Sequence, residues 1–144
     1  MQPVLTLKGE MINATSHCDK YDDRYFKKPR YLEIRLFEGT TFNAVRAKEK
    51  TGLDPHFLFD RKELQAPEVR LYETSSDSFF SLHAAERGAY DMIFLDGLYT
   101  FDQTLRDFHN ALNCLSPHGI IVIDDVCPSS YLASIGDMSL ISHI

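Results

Sequence analysis

Two short apolar runs on either side of one amphipathic segment place the strongest constraint on the fold of this chain. Residues 92–95 and 120–123 are runs of four apolar side chains, which is typical of strands that are covered on both faces. Between them, apolar residues recur at intervals of four, three, four and three positions: Phe101, Leu105, Phe108, Leu112 and Leu115. This period predicts a helix with one buried face. A strand, a helix and a strand in this order predict a right-handed crossover between parallel strands.

The same alternation of elements extends toward the start of the chain. Further strands are expected at residues 31–37, 51–54 and 69–72, and helices at 42–50 and 77–87. Thr40 or Thr41 can cap the first of these helices, and residues 56–67 are expected to form a loop or a weak helix. The sequence therefore predicts an α/β fold, a Rossmann-like doubly wound parallel sheet of about five strands with helices on both faces.

The 144 residues fit one domain. Residues 1–29 are mixed and polar, and we expect them to form a lead-in segment, either a solvated arm or a lid over a substrate. Residues 30–144 are expected to form the Rossmann-like domain.

The charge of the chain limits the classes of binding partner, and its cysteines indicate the compartment in which it works. The net charge is −6, from 15 basic and 21 acidic residues, which argues against a nucleic-acid backbone or an anionic membrane as the main partner. No apolar run approaches the roughly 20 residues that cross a bilayer, and we find no pattern of a secretory signal. Cys18, Cys114 and Cys127 are odd in number and widely spaced, so we expect reduced thiols in a cytoplasmic protein.

Nearly every predicted strand is followed by a carboxylate. These strand ends carry Glu38 with Gly39 and Thr40, then Asp54, Asp77, Asp96, and finally Asp124 with Asp125. The carboxyl ends of parallel strands meet at one edge of the sheet, and ligands bind there where the strand order reverses. We therefore expect a ligand site at this edge.

The first crossover favours a nucleoside over a dinucleotide as the ligand. A pyrophosphate site needs a G-x-G-x-x-G pattern so that the backbone can approach the phosphates, and only Gly39 lies between the first strand and its helix. A nucleoside needs instead an acid after the second strand to accept hydrogen bonds from the ribose hydroxyls. Asp54 occupies that position. The missing glycines also argue against an oxidoreductase that uses NAD.

An ordered set of motifs resembles the class I S-adenosylmethionine-dependent methyltransferases. The set comprises Tyr31-Leu32-Glu33-Ile34 before Gly39-Thr40-Thr41, then Gly52-Leu53-Asp54-Pro55, residues 74–80, residues 91–97 through Asp107, and residues 115–125. The resemblance is strongest to the branch whose fourth strand ends in an Asp-Gly-x-His pattern, a methyltransferase-domain family. It covers residues 30–128 in consistent order.

The resemblance implies a role for each matching residue. Glu33 and Gly39 would shape the pocket for the methionine part of S-adenosylmethionine. Thr40 is also predicted to bind the cofactor. Asp54 would hold the ribose hydroxyls and Asp77 would lie near the adenine. Asp96 would face the methionine end of the cofactor.

The resemblance also implies candidates for catalysis. Asp96 and Tyr99 are the candidate catalytic residues. In the metal-assisted O-methyltransferases that this order of motifs also resembles, carboxylates that match Asp96, Asp124 and Asp125 bind a divalent cation. Mg²⁺ suits such oxygen ligands and would lower the pKa of an acceptor hydroxyl. Asp124 and Asp125 would otherwise only cap the next turn.

Three features depart from the family pattern. Arg35 replaces a glycine, which adds bulk and positive charge near the cationic sulfonium, and it would share one strand face with Glu33 and be able to pair with it. Tyr99 replaces the histidine of the Asp-Gly-x-His pattern and is a poor base at neutral pH. The family sheet has seven strands, whereas residues 126–144 are too few for the antiparallel strands at its C-terminal end.

Two functions remain open from the sequence. The first is an S-adenosylmethionine-dependent methyltransferase that acts on a small molecule, at oxygen, with or without a metal. The second is a catalytically degenerate Rossmann-like module that binds a nucleoside or serves in assembly. An uncovered fifth strand would also allow a homodimer through the open edge of the sheet.

Overall fold

The computed structural model describes residues 28–96 and 100–124 of the chain. Its strands are β1 (Arg30–Ile34), β2 (Glu49–Asp54), β3 (Val69–Glu73), β4 (Tyr90–Leu95) and β5 (Leu115–Ile123). Its helices are α1 (Thr40–Ala44), α2 (Ser76–Leu82), α3 (Ala84–Arg87) and α4 (Phe101–Asn113), with a short 3-10 helix at Arg61–Leu64. No helix in this part of the chain is long and apolar enough to cross a membrane.

The five strands form one parallel sheet in the order β3-β2-β1-β4-β5. β1 is central and pairs with β2 on one side and with β4 on the other. The chain therefore builds the sheet outward from β1 to β3, and then returns to add β4 and β5 beyond β1. The strand order reverses between β1 and β4, which places the expected ligand crevice at the carboxyl ends of the central strands.

Two hydrophobic cores cover the two faces of the sheet. Leu32 of β1 packs with Phe79 of α2 and Ala111 of α4 on one face. Tyr31 of β1 packs with Phe42, which belongs to α1, on the other. Neighbouring side chains of one strand point to opposite faces, so β1 contributes to both cores. The predicted doubly wound α/β sheet is confirmed, and every strand pair between residues 28 and 124 that the structure describes is parallel.

The helix predicted at residues 42–50 is wrong in its bounds. α1 begins at Thr40 after Gly39, which is the N-cap with φ of 74°, and no side chain caps the helix. The prediction that Thr40 or Thr41 caps it is therefore also wrong. Lys50 belongs to β2, and its ammonium group donates hydrogen bonds to the carbonyls of Phe42 and Val45. The Lys50 ammonium group therefore supplies hydrogen bonds to carbonyls near the end of α1, because the last carbonyls of a helix have no N–H donor within the helix.

The helix predicted at residues 77–87 is divided in two at His83. α2 begins one residue earlier than predicted, after Ser75, whose hydroxyl accepts a hydrogen bond from the backbone N–H of Ser78 at 3.2 Å. A serine before the first turn is a preferred N-cap because its oxygen satisfies one of the unpaired backbone donors.

The apolar stripe predicted on α4 is only partly buried. Phe108 packs against the core, but Phe101 is 78% exposed, and Leu105 and Leu112 are also exposed. The stripe was predicted to include Leu115, and that part is wrong, because Leu115 is the first residue of β5. The buried residues of α4 are Gln103, Asp107 and Ala111. The helix therefore turns a face with two polar side chains inward, which requires polar partners from another element.

Candidate functional site

The loop after β1 contains two residues in a backbone conformation that residues other than glycine rarely adopt. Arg35 has φ of 68° and Phe37 has φ of 50°, both in the left-handed region that costs a residue with a Cβ roughly 1–2 kcal/mol. The backbone N–H of Arg35 donates to the carbonyl of Leu53 at 2.8 Å, which ties the loop to the end of β2. Arg35 thus holds a conformation that glycine adopts most easily.

The prediction that Glu33 and Arg35 share one strand face is wrong. β1 ends at Ile34, and the left-handed backbone of Arg35 breaks the alternation of side chains along the strand. Glu33 instead accepts a hydrogen bond from the hydroxyl of Tyr31 at 2.6 Å.

Glu33 is a buried acid at the centre of the sheet. Its side chain is 2% exposed, and burial raises its pKa from 4.5 to about 8. The hydrogen bond from Tyr31 lowers the pKa, the charge of Asp96 raises it, and the charge of Lys50 lowers it. Desolvation dominates because the charged form loses its hydration. Glu33 is therefore mostly protonated at neutral pH.

Asp54 is held at the end of β2 by two backbone groups. Its Oδ1 accepts a hydrogen bond from the N–H of His56 at 2.8 Å, and its Oδ2 accepts one from the N–H of Phe37 at 3.1 Å. The residue is 6% exposed. Each carboxylate oxygen can accept more than one hydrogen bond, so this fixed carboxylate keeps acceptor capacity for a pair of hydroxyls.

A cleft of about 220 Å³ lies beside Asp54 at the carboxyl edge of the sheet. Its lining comes from the ends of β1 and β2, from the turn before α2 and from α4: Ile34, Arg35, Leu53, Asp54, Pro55, His56, Ser75, Ser76, Asp77, Gln103 and Asp107. Two of the residues predicted to bind a cofactor, Asp54 and Asp77, are brought together here although they come from different crossovers. The lining from the strand ends thus combines apolar residues with Arg35, Asp54 and His56, and the lining from α2 and α4 is polar.

Gln103 and Asp107 are residues of this cleft that the sequence reasoning missed. They lie one helical turn apart on α4, and both are buried. Gln103 donates from Nε2 to the Ser76 hydroxyl at 3.1 Å and to Asp107 Oδ1 at 3.0 Å. A signal was present in the sequence, because polar residues spaced by four share one face of a helix. The apolar stripe at the same period concealed it.

The other predicted cofactor residues lie outside the lining of this cleft. Glu33 is buried within the sheet, and Asp96 follows β4, where its N–H donates to the carbonyl of Ile34 at 3.1 Å. Thr40 is an exposed first residue of α1. Gly39 is closely packed, because a Cβ there would lie 3.1 Å from the ring of Phe59 and 3.2 Å from the side chain of Leu64. Their roles toward a cofactor stay predictions.

The candidate metal ligands are only partly within the described residues. Leu95 and Ile123 are register partners in β4 and β5, so Asp96 and Asp124 follow neighbouring strand ends. Asp125 and the candidate catalytic Tyr99 lie outside the described residues. Within residues 28–96 and 100–124, no group of three or more acidic, histidine or cysteine side chains could hold a metal ion.

One cysteine can be described. Cys114 is a buried free thiol at the end of α4, and burial raises its pKa to about 11. Such a thiol is inert at neutral pH because the thiolate is the reactive form.

Comparison with solved structures shows which proteins share this fold. The MycE methyltransferase of the mycinamycin biosynthetic pathway, in complex with magnesium, S-adenosylhomocysteine and mycinamycin VI, is 18% identical with a TM-score of 0.61, over 76% of this chain and 33% of that chain. The N-methyltransferase NodS of Bradyrhizobium japonicum is 16% identical with a TM-score of 0.59, over 76% of this chain and 64% of that chain. At these identities the likeness shows the fold.

A third structure agrees with these two. An S-adenosylhomocysteine-bound methyltransferase of Podospora anserina is 21% identical with a TM-score of 0.54, over 77% of this chain and 51% of that chain. The chain therefore spans about a third to two thirds of the length of these proteins. A search of curated proteins finds no match.

The comparison with protein families is more direct. The sequence profile of a family described as "Methyltransferase domain" matches residues 13–126, which is well over half of the chain. The parallel sheet with its reversal at β1 and the cleft beside Asp54 agree with that match. This chain belongs to the methyltransferase-domain family of class I S-adenosylmethionine-dependent methyltransferases.

Proposed function

We propose that this protein binds S-adenosylmethionine in the cleft beside Asp54 and transfers its methyl group to an oxygen atom of a small molecule. The anchoring of Asp54 carries the proposal. Backbone N–H groups hold each carboxylate oxygen in place, which prepares a rigid acceptor for two neighbouring ribose hydroxyls. Such preorganisation lowers the entropy lost on binding.

The cleft has the polarity that a nucleoside needs. Leu53, Pro55 and Ile34 give it an apolar floor for a base and a sugar ring, and Asp77 stands at its polar end. With the ribose at the end of β2 and the base toward β3, the sulfur would lie toward β1, one strand spacing of about 4.8 Å away. This arrangement would leave the methyl group near the ends of β1 and β4, where Asp96 follows its strand.

Catalysis in this arrangement rests on positioning. A methyl transfer needs the acceptor atom in line with the sulfonium carbon, and holding both reactants in that geometry contributes a large share of the rate. We propose that Asp96 orients the acceptor hydroxyl. Tyr99 lies outside the described residues and stays a predicted catalytic residue.

Metal assistance forms a separate part of the proposal. Asp96 and Asp124 follow neighbouring strands, and Mg²⁺ commonly uses one or two carboxylates and completes its shell with water, so these two residues would supply the carboxylates. Asp125 stays a predicted ligand outside the described residues. A bound Mg²⁺ would lower the pKa of the acceptor hydroxyl. Thermal unfolding with Mg²⁺ and with a chelator tests this part, and identical midpoints would end it.

Titration calorimetry with S-adenosylhomocysteine tests the central proposal. We expect the unmodified protein to bind it, and Arg35→Gly to bind more tightly, because glycine removes bulk from the cleft and suits the left-handed backbone. Arg46→Gly is the matched control, since Arg46 is exposed and outside the cleft. Absence of binding to both the unmodified protein and Arg35→Gly would contradict the proposal.

The same titration separates the second function. Binding that appears only in Arg35→Gly would favour a degenerate module in which arginine has closed an ancestral cofactor site. The half-buried position of Arg35 in the cleft is the observation that favours this alternative. The homodimer through the edge of β5, the absence of a nucleic-acid partner and the cytoplasmic location stay predictions.

A further inference from the structure

The second half of β5 has an apolar edge that lacks the usual protection of an edge strand. β5 is last in the strand order, so within residues 28–96 and 100–124 it pairs with β4 alone. Proteins protect such an edge with charged residues, proline or bulges, because its unpaired backbone groups can pair with another strand. The first half of β5 contains Pro117 and a shift of register against β4. Residues 120–123 contain neither a proline nor a charge.

The backbone of residues 120–123 points alternately toward β4 and toward the open edge. The N–H of Asp124 donates to the carbonyl of Leu95 in β4 at 3.0 Å. Successive residues of a strand direct their backbone groups to opposite sides, so the N–H and C=O groups of Ile121 and Ile123 point away from β4. A further strand would use these groups.

One flank of α4 adds exposed apolar side chains on the same side of the molecule. Arg106 lies 3.7 Å from Asp77 of α2, which places α2 beside the opposite flank. At 3.6 residues per turn, the flank toward β5 consists of side chains that are 78%, 41% and 38% exposed: Phe101, Leu105 and Leu112. We call these three residues the α4 flank. Because α4 runs antiparallel to β5, Phe101 and Leu105 lie level with the last residues of β5.

The charges of the chain favour a second copy as the partner of this surface. Each copy has a net charge of −6, so two copies approach most easily through a face without like charges. β5 contains no Asp, Glu, Lys or Arg, and the α4 flank contains none either. Two exposed polar residues border the surface at its two ends, Asp124 after β5 and His118 in its first half.

A twofold axis through Ile121 fits these features. Such an axis, perpendicular to the sheet, makes two copies of one edge strand antiparallel. With Ile121 opposite its own copy, the two residues exchange both outward hydrogen bonds, and Ile120 lies opposite Val122. Asp124 of each copy then lies toward the segment that contains His118 of the other, which brings an acid near a base.

We propose that the outer edge of β5 and the α4 flank form a twofold interface with a second copy of this chain, in which two β5 strands pair about Ile121. The two five-stranded sheets become one continuous sheet. Because the strands of the two copies run in opposite directions, their carboxyl edges face opposite ways and both clefts stay open. This inference goes beyond the proposed function and does not depend on it.

Sedimentation velocity over a dilution series of the full chain tests the interface. We expect a dimer that dissociates on dilution. Phe101→Lys places a charge on an exposed residue of the α4 flank, and it should raise the dissociation constant of the dimer at least about tenfold. Leu82→Lys is the matched control, because Leu82 is a 67% exposed apolar residue of α2, and it should leave the constant unchanged.

Cysteine cross-linking tests the register. Hydrogen-bonded antiparallel pairs have Cα atoms about 5.5 Å apart, which suits a disulfide. In a chain that also carries Cys18→Ser and Cys127→Ser, Ile121→Cys should form a disulfide dimer with oxidised glutathione, which is reduced as the bond forms. Ile123→Cys is the matched control, because Ile123 does not lie opposite its own copy, and it should cross-link at least about tenfold more slowly.

Three results would overturn the inference. The first is a chain that sediments as a monomer at every concentration. The second is a dimer that Phe101→Lys and Leu82→Lys weaken equally, because the contact would then lie elsewhere. The third is a disulfide that forms at Ile123→Cys as readily as at Ile121→Cys, and this measurement decides the matter if Phe101→Lys does not fold.

Discussion

The protonated state of Glu33 leads to a prediction about the pH dependence of stability. Its pKa is about 8 in the folded protein against an ordinary 4.5, so the folded state binds a proton that the unfolded state releases above pH 4.5. Stability therefore falls as the pH rises from 4.5 to 8, because unfolding releases this proton. At about 1.4 kcal/mol per pKa unit, the loss between pH 5 and pH 8 is on the order of 3–4 kcal/mol.

Glu33→Gln removes this dependence. Glutamine has nearly the same shape, can accept the hydrogen bond from Tyr31 and does not ionise. The free energy of unfolding of Glu33→Gln minus that of the unmodified protein should therefore increase by roughly 3–4 kcal/mol between pH 5 and pH 8. Urea denaturation at several pH values measures both free energies.

A surface control isolates the effect of burial. Glu63→Gln changes an exposed residue of the 3-10 helix, and its stability should follow that of the unmodified protein across the same pH range. If the curves of Glu33→Gln and the unmodified protein run parallel from pH 5 to pH 8, Glu33 is ionised in the folded state. The reasoning from its burial would then be refuted.

Two further substitutions test the packing around α1. Gly52→Ala would place a Cβ 2.6 Å and 2.8 Å from side-chain carbons of Leu36 and 3.0 Å from the ring of Phe42. We therefore expect urea denaturation to show a free energy of unfolding lower by about 1–3 kcal/mol. A decrease below about 0.5 kcal/mol would show that Leu36 moves freely. Lys50→Met keeps the aliphatic stem but removes the donor to the carbonyls of Phe42 and Val45. We expect the free energy of unfolding to fall by about 1–3 kcal/mol and the pKa of Glu33 to rise further, because the Lys50 charge lowers it. A variant with unchanged stability and unchanged pH dependence would contradict this reasoning.

The apolar runs and their spacing were sufficient to predict the sheet. Residues 92–95 and 120–123 lie within β4 and β5, because an uninterrupted apolar run is stable only where both faces of a strand are covered. The helical period between them predicted α4, but not which face is buried. The apolar Phe101 is exposed, whereas the polar Gln103 is buried. Gln103 can be buried because Ser76 and Asp107 supply its hydrogen bonds.

The candidate site was predicted in part. Asp54 and Asp77 were expected at one edge from the rule for parallel strands, and both line the cleft. The expected pairing of Glu33 with Arg35 relied on a strand that continues to residue 37. The strand ends at Ile34, and the positive φ of Arg35 and Phe37 reflects contacts with β2 that no local pattern contains.

The sequence by itself determined the alternation of strands and helices, the carboxylates after the strands and the family to which the chain belongs. These follow from local hydropathy and from the order of motifs along the chain. Only the tertiary structure decided that Glu33 is protonated, that backbone groups hold Asp54 and that Gln103 faces the cleft. The physical reason is that desolvation and hydrogen bonding depend on residues from distant elements, and the fold alone brings these elements together.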